Sequence, residues 1–335
     1  MKFKEFLTFR EQILRENPKI IDLGEIYLKK NLSYLSPKID ESNLQEKIHR
    51  CHLSENWLSL FDCPQEWKNR LFISEGVRHS LKLIFPILAE QNYTVYIPKD
   101  VYPVYSELAQ TSGLQPRYFE TIPIPIFPDI KCNNSQEVLL LPNPLKPLGR
   151  LLYKHEITAL KQWLAAGEQR RLIVDTVYTF ENKLAASSLD LFHTNQVIIL
   201  HSLSKGWMAP QIFGVALFPE TDIKIFGQAF RDNSPSNLNL FYARQFLTTY
   251  SEFPFILHKV LVEKWESTME FVQDTYLGKN VNIHTDFHGY LTVVPISFKL
   301  LLQEFNILAI PVSVFGSDKE DWSAISTLAI DKVLF

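Results

Sequence analysis

Three polar clusters, spaced about thirty residues apart, hold the side chains of this sequence that are best suited to chemistry. The first contains Asn143 and Lys146, the second Asp175 and Tyr178, and the third Lys205. A lysine amine can bond covalently to a carbonyl ligand, and carboxylates and phenols can exchange protons or bind charge. Each cluster follows a predicted strand, and ligands of open α/β sheets bind beyond the carboxyl ends of the strands. The clusters therefore predict a small-molecule site.

The elements that would position these clusters alternate along the chain from about residue 71. Strands buried on both faces must be apolar throughout, and helices show amphipathic periodicity. The predicted strands are 71–73, 93–97, 138–141, 172–174, 197–200 and 215–218, and the predicted helices are 77–91, 104–112 and 155–166. Gly113 and Gly167 follow the last two helices, as is common at helix C-termini. The alternation predicts an α/β fold with a mostly parallel central sheet and helices on both faces.

The pattern changes after about residue 234. A long helical stretch to about residue 276 precedes a strand at 290–294, a helix at 296–304 and a short strand near 307. We therefore expect a large domain at 46–233 and a smaller α+β domain at 234–335. The N-terminal segment 1–45 is expected to join the small domain.

Composition narrows the function classes. The chain has 34 basic and 37 acidic residues, a net charge of -3, and no concentrated basic run, so we expect no nucleic-acid partner. Cys51, Cys63 and Cys132 are scattered without metal-ligand spacing, which predicts neither a disulfide framework nor a metal site and favours the cytoplasm. No uncharged stretch is long enough to span a bilayer, so we expect no membrane association.

Taken together, in this order and at this spacing, the clusters resemble the fold-type-I enzymes that use pyridoxal 5'-phosphate (PLP). The resemblance is to the class I/II aminotransferases related to the aspartate and histidinol-phosphate enzymes, of which this chain looks like a divergent member. It extends from Ile-Ile-Asp-Leu-Gly at 20–24 through Ile-Ser-Glu-Gly at 73–76 to Ile-Pro-Val-Ser-Val-Phe-Gly at 310–316.

The resemblance implies roles around the cofactor ring. Lys205 matches the family's Ser-x-Ser-Lys lysine, which forms a Schiff base with PLP and later shuttles the substrate proton. Asp175 matches the carboxylate that keeps the ring nitrogen protonated, and Tyr178 the phenol that donates to the ring's phenolic oxygen. Tyr102 matches the aromatic residue that stacks on the ring. Lys205, Asp175 and Tyr178 are thus the expected catalytic residues.

Further cofactor-binding residues are expected around the phosphate and beside the ring. The phosphate should lie on a helix N-terminus with hydroxyls nearby. The residues that match these places are Gly76, Val77, Ser202 and Ser204, with Arg78 in the first turn of the same predicted helix and Asn143 and Lys146 in the first cluster.

The sequence departs from the family pattern at three anion contacts. Lys146 stands where the family commonly has Asn, the segment 206–214 lacks the family's phosphate-binding arginine, and no arginine follows Arg244 to bind a substrate carboxylate. Arg78 and Lys146 are expected to replace these contacts, Lys146 as a looser carboxylate anchor than an arginine because lysine offers a point charge.

The resemblance implies a PLP-dependent transferase acting on an amino acid or amine, with transamination as the expected outcome, in a homodimer. Two alternatives stay open. A PLP-dependent lyase, decarboxylase or cyclase acting on an unusual amino acid would account for the missing carboxylate arginine. A non-catalytic protein that retains the fold would account for all three departures.

Overall fold

The computed structural model describes residues 1–42, 44, 48–101, 103–129, 136–273 and 287–328. Their α-helices are α1 (Phe3–Glu16), α2 (Leu28–Asn31), α3 (Arg50–Leu60), α4 (Val77–Glu90), α5 (Val104–Thr111), α6 (Lys154–Ala165), α7 (Ala186–Phe192), α8 (Leu203–Gly206), α9 (Ile223–Asp232), α10 (Asn237–Thr248), α11 (Phe253–Val272) and α12 (Phe298–Phe305). Their β-strands are β1 (Ile21–Asp22), β2 (Leu71–Ser74), β3 (Thr94–Pro98), β4 (Arg117–Phe119), β5 (Glu137–Pro142), β6 (Arg171–Asp175), β7 (Val197–Ser202), β8 (Gly214–Leu217), β9 (Leu291–Val294), β10 (Ile307–Leu308), β11 (Ile310–Pro311) and β12 (Ser323–Ser326).

A seven-stranded sheet in the order β2-β8-β7-β6-β5-β3-β4 forms the centre of the molecule. The pairs from β4 to β7 are parallel, and β8 runs antiparallel to both of its neighbours. Strand β5 shows why this sheet is apolar throughout, since Val138 and Leu140 pack into one core layer while Leu139 and Leu141 pack into the other. The prediction of an α/β fold with a mostly parallel sheet is confirmed.

The six predicted strands of this sheet and the three predicted helices that alternate with them begin and end within two residues of the observed elements. The long helical stretch predicted after residue 234 was wrong in one respect, because the described part of it forms two helices, α10 and α11. Pro254 sits in the first turn of α11, where a missing backbone N–H and a fixed φ favour a helix start over a helix interior. Residues 274–276 of that prediction lie outside the described residues.

The C-terminal part of the chain, together with β1, forms a second and smaller set of strands. Strands β9, β12 and β11 form an antiparallel sheet, and β1 pairs in parallel with β10 through Ile21 and Ile307. This last pairing connects the N-terminal segment to the C-terminal strands. The division at residues 45 and 233 remains a prediction. None of the helices in the described ranges is long and apolar enough to cross a lipid bilayer.

Candidate active site

A cavity of about 490 Å³ lies at the carboxyl-terminal edge of the parallel strands. Asp175 ends β6, Ser202 ends β7, and Lys146 follows β5, and all three side chains line the cavity. This is the edge at which open α/β sheets bind ligands. The N-terminal segment closes another side through Phe3 and Ile26.

The structure brings most of the predicted site residues into this cavity. Its walls include Gly76, Val77, Arg78, Lys146, Asp175, Tyr178, Ser202, Ser204 and Lys205. Two predicted residues are not among them: Tyr102 lies outside the described residues, and Asn143 lies elsewhere.

Asn143 is fully buried and its amide binds the protein instead of facing the cavity. Its Nδ2 donates to the hydroxyls of Ser187 and Ser188, each at 2.8 Å, and its Oδ1 accepts the N–H of Leu152 at 3.1 Å. Its backbone N–H also donates to the carbonyl of Asp175 at 3.0 Å. Asn143 therefore braces the loop after β5 against α7, and the structure gives no contact that would let it bind a ligand in the cavity.

Asp175 is buried and receives three donors. The backbone N–H of Val177 lies 2.8 Å from Oδ1, while Oδ2 accepts the hydroxyl of Tyr105 and lies 3.4 Å from Nζ of Lys146. Burial raises the pKa of Tyr105 well above its usual value, and the Asp175 carboxylate adds to this effect. The phenol therefore stays protonated as a donor and holds the carboxylate at the cavity wall.

Lys146 lies between Asp175 and the ring of Tyr178. Its ammonium is 4.0 Å from the centroid of that ring, a cation–π distance. Burial lowers the pKa of Lys146 from 10.5 to about 8, with Lys205 lowering it further and Asp175 opposing the shift. Lys146 thus carries a charge that changes near neutral pH. The predicted role as a carboxylate anchor is untested and remains a prediction.

Lys205 contacts a pair of phenols. Its Nζ donates to the hydroxyl of Tyr290 at 3.4 Å, and that hydroxyl lies 3.0 Å from the hydroxyl of Tyr178. Burial raises the pKa of Tyr178 well above its usual value, and the neighbouring Tyr290 raises it further. The hydroxyl of Tyr178 is therefore neutral, and the two phenols together orient the amine of Lys205.

A close approach of three backbone segments forms the other end of the cavity. Gly76 precedes α4 with a φ of +116°, and a Cβ there would lie 2.9 Å from the hydroxyl oxygen of Ser202. A Cβ on Gly214 would lie 2.5 Å from the Cα of Gly76. Only glycine fits at both positions, so the helix start and the end of β7 can meet without side chains between them.

This glycine cradle presents hydrogen-bond donors to the cavity. The first N–H groups of a helix have no intrahelical acceptor, and α4 begins at the cavity wall with Val77 and Arg78. Ser202 and Ser204 place their hydroxyls 3.2 Å apart beside it. Helix N–H groups and serine hydroxyls are a donor set that suits a phosphate.

Tyr105 and Tyr290 are contact residues that the sequence reasoning missed. Tyr105 lies in the first turn of α5, and its closeness in the sequence to the predicted site residue Tyr102 is the signal that could have found it. Tyr290 precedes β9, whereas the polar clusters singled out in the sequence follow strands. Gly289 before it has a φ of +109°, and a Cβ there would lie 3.2 Å from Cδ1 of Tyr178, so the glycine at this position is the sequence signal that could have indicated the contact.

The profile of the family "Aminotransferase class I and II" matches residues 45–218, just over half of the chain. The chain belongs to this family. Pyridoxal phosphate is the cofactor of the family, and the cradle, the carboxylate and the lysine just described are chemically suited to its phosphate, ring nitrogen and aldehyde.

Individual members of the class I and II aminotransferases show how far the similarity extends. Histidinol-phosphate aminotransferase 2 of Dechloromonas aromatica (strain RCB) is 27% identical over 141 residues, which are 41% of this chain and 37% of that enzyme. The chain thus spans little more than a third of the length of this curated relative.

Solved structures match nearly the whole fold at low identity. YbdL from Escherichia coli, for which a methionine aminotransferase function was identified, has a TM-score of 0.72 and 14% identity, covering 99% of this chain and 94% of that one. A PLP-bound C-S lyase from Staphylococcus hominis has a TM-score of 0.65 and 12% identity, covering 85% and 79%. At these identities the likeness shows the fold alone.

Proposed function

We propose that this protein is a PLP-dependent enzyme of the aminotransferase type that acts on an amino acid or amine, with Lys205 as the residue that binds the cofactor covalently. The observation that carries the proposal is the meeting of Lys205, Asp175 and Tyr178 in one cavity beside the glycine cradle. Folding alone would not require an amine, a carboxylate and a phenol to face the same space.

The residues of the cavity fit PLP at its recognisable groups. The start of α4 with Ser202 and Ser204 would hold the phosphate, and Arg78 would add a cation at the cavity wall. Asp175 would face the ring nitrogen, with Tyr105 and the N–H of Val177 fixing its two oxygens.

When bound, PLP supplies an electron-accepting ring that stabilises negative charge on the substrate carbon. The protein's own groups then handle protons. The amine of Lys205 accepts a proton from the substrate and returns it, since a deprotonated lysine amine is an effective general base. Tyr290 and Tyr178 hold the lysine nitrogen in place, and Asp175 is the residue that would keep the ring nitrogen protonated.

The proposal is tested by adding PLP to the purified protein, reducing it with borohydride and mapping the added mass. We expect a visible absorbance band that reduction removes, and a mass increase on the peptide that carries Lys205. No band, or a label on another lysine, would overturn the assignment. A non-catalytic protein would bind no cofactor or would leave it unchanged on addition of any amino acid.

A lyase, decarboxylase or cyclase is the second candidate because the usual carboxylate arginine is missing. No arginine follows Arg244 in the sequence, and strand β12 in this part of the chain buries the small side chains of Ser323 and Ser326. An amino acid added alone separates the two chemistries. A transaminase converts the bound cofactor to its aminated form, whereas a lyase or decarboxylase regenerates the original band and releases a product.

Two further parts of the proposal concern the whole protein. We propose a homodimer, which analytical ultracentrifugation would test. A cytoplasmic location and the division into domains at residues 45 and 233 remain the predictions made from the sequence.

A further inference from the structure

Lys146 forms an ion pair with Asp175, the carboxylate that we assign to the ring nitrogen of the cofactor. Its Nζ lies 3.4 Å from Oδ2 of Asp175, and the two side chains are 19% and 3% exposed. Both line the cavity, so the ion pair belongs to the space that a ligand enters. At this burial the two charges are only partly screened by water.

The oxygens of Asp175 have little capacity left. Oδ1 accepts the N–H of Val177, and Oδ2 accepts the hydroxyl of Tyr105 besides contacting Lys146. A carboxylate offers about four lone-pair directions over its two oxygens, so the two donors already on Oδ2 match the capacity of that oxygen. A new donor that approaches Oδ2 from the cavity therefore competes with the ammonium of Lys146.

We propose that Lys146 is a specificity-determining residue: its ammonium shares Asp175 and so weakens the hold of this carboxylate on a protonated ring nitrogen. The inference rests on the proposed function. Two cations that bind one carboxylate repel each other, and this repulsion lowers the proton affinity of a ring nitrogen placed there. The protein therefore distinguishes less between cofactor rings with and without a basic nitrogen than the carboxylate alone would.

The groups that face the ion pair make its charge sensitive to pH. Asp175 stabilises the ammonium, Lys205 destabilises it, and the rings of Tyr105 and Tyr178 complete the surroundings. Burial raises the pKa of both phenols, so they stay neutral where Lys146, with a pKa of about 8, loses its charge. Above that pH the competition for Asp175 ends, and discrimination between the two kinds of ring should increase.

The test compares the binding of two probes, PLP and its 1-deaza analogue, in which a C–H replaces the ring nitrogen. Dissociation constants are measured at pH 7 for the wild type, Lys146→Met and Lys146→Arg. The preference for PLP over the analogue should increase about tenfold in Lys146→Met, the scale of one charge-assisted hydrogen bond. Lys146→Arg keeps the cation and should keep the wild-type ratio. Raising the pH to 9 should move the wild type, but not Lys146→Arg, toward the ratio of Lys146→Met.

Lys99→Met is the matched control, because Lys99 pairs with Asp318 at 2.8 Å outside the cavity. It should leave the ratio unchanged. If Lys146→Met loses its folded circular dichroism spectrum, Lys146→Gln serves as the second uncharged variant with the same expected ratio. An unchanged ratio in a folded, uncharged variant overturns the inference and leaves the proposed function standing. A wild type that binds neither probe overturns the proposed function itself.

Discussion

The loop between β5 and α6 contributes one partner to each of two buried ion pairs, and the two pairs differ in their geometry and exposure. Arg150 binds Glu156 through two hydrogen bonds of 2.7 and 2.8 Å, with side chains only 1% and 2% exposed. Glu156 also accepts the backbone N–H of Tyr153 at 2.7 Å. Lys146 meets Asp175 through one contact of 3.4 Å, and its side chain is 19% exposed at the cavity.

The difference separates a structural contact from a contact that a ligand can rearrange. The Arg150–Glu156 pair joins the two terminal guanidinium nitrogens to the two carboxylate oxygens within the fold, as a planar guanidinium can. The Lys146–Asp175 pair has a single, longer contact and lies at the wall of the cavity. Substitutions in the cavity should therefore change cofactor binding and turnover with little loss of stability. Substitutions in the Arg150–Glu156 pair should lower the stability and leave cofactor binding unchanged.

Lys205→Ala should have the largest effect on chemistry. The substitution removes the amine that we expect to bind PLP covalently, and it also breaks a long hydrogen bond, of 3.4 Å, to Tyr290 and cation–π contacts with the rings of Tyr178 and Tyr290. We expect loss of the visible cofactor band and of all measurable turnover, with an unchanged thermal unfolding midpoint. A band that persists in this variant would assign the covalent site to another lysine.

Asp175→Asn should come next. An uncharged side chain of the same shape no longer keeps the ring nitrogen protonated, so turnover should fall by several orders of magnitude while some cofactor remains bound. Single-turnover kinetics and a PLP titration measure the two effects separately. Rates close to those of the wild type would show that Asp175 only terminates β6.

Glu156→Ala should break the structural pair. It leaves the Arg150 guanidinium buried without its carboxylate, which costs about 3–5 kcal/mol when one partner of a buried pair is removed. Urea unfolding measures this destabilisation, and PLP affinity of the folded fraction should not change. Lys161→Ala, on the same helix, removes an exposed pair with Asp190 and should change stability far less. Equal destabilisation in the two variants would contradict the comparison.

Six of the seven strands of the central sheet were predicted because they form distinct apolar runs, and three of these runs end where a polar cluster begins. Strand β4 was not predicted, because two of its three residues, Arg117 and Tyr118, are exposed and it forms no apolar run. Lys146, Asp175 and Ser202 therefore meet as expected from strand ends alone. Strand ends do not indicate that Asn143, in the same loop as Lys146, turns toward Ser187, because side-chain direction in a loop depends on its packing partners.

Contacts between residues far apart in the chain could also not be predicted from the sequence pattern. Tyr290 reaches Tyr178 across 112 residues, and no local period relates the two positions. The partner of Lys146 was equally open, because a cation in a proline-rich loop can face solvent, a ligand or any nearby carboxylate. Local pattern thus predicted which residues approach the cavity, and tertiary packing decided which of them touch.

Lys146 should also give stability a pH dependence that an arginine cannot. Its pKa in the folded protein is lowered to about 8 from 10.5, so the unfolded chain binds a proton between these values that the folded chain does not. The destabilisation is therefore complete below pH 8 and is relieved as the pH rises toward 10.5. Relative to Lys146→Met, the wild type should gain up to about 3 kcal/mol over this range.

Urea unfolding at a series of pH values checks this gain. Lys146→Arg is the control, because a guanidinium stays charged throughout and its stability relative to Lys146→Met should remain flat. Parallel curves for the wild type and Lys146→Met would mean that the ammonium of Lys146 is as well solvated in the fold as in the unfolded chain.

Arg78→Ala should give the smallest effect and extends the comparison to an exposed cation. Arg78 lies in the first turn of α4 beside the glycine cradle and lines the cavity, whereas its side chain reaches solvent. One charge-assisted contact to a phosphate corresponds to a loss of about tenfold in PLP affinity, and this loss is smaller where water screens the charge.

Raising the salt concentration should reduce the difference in PLP affinity between the wild type and Arg78→Ala, because salt screens an exposed charge more than it screens the buried Lys146–Asp175 pair. Lys82→Ala, one turn further along α4 and outside the cavity wall, should leave the dissociation constant unchanged. Equal affinities for the wild type and Arg78→Ala would leave phosphate binding to the helix N–H groups and the serine hydroxyls alone.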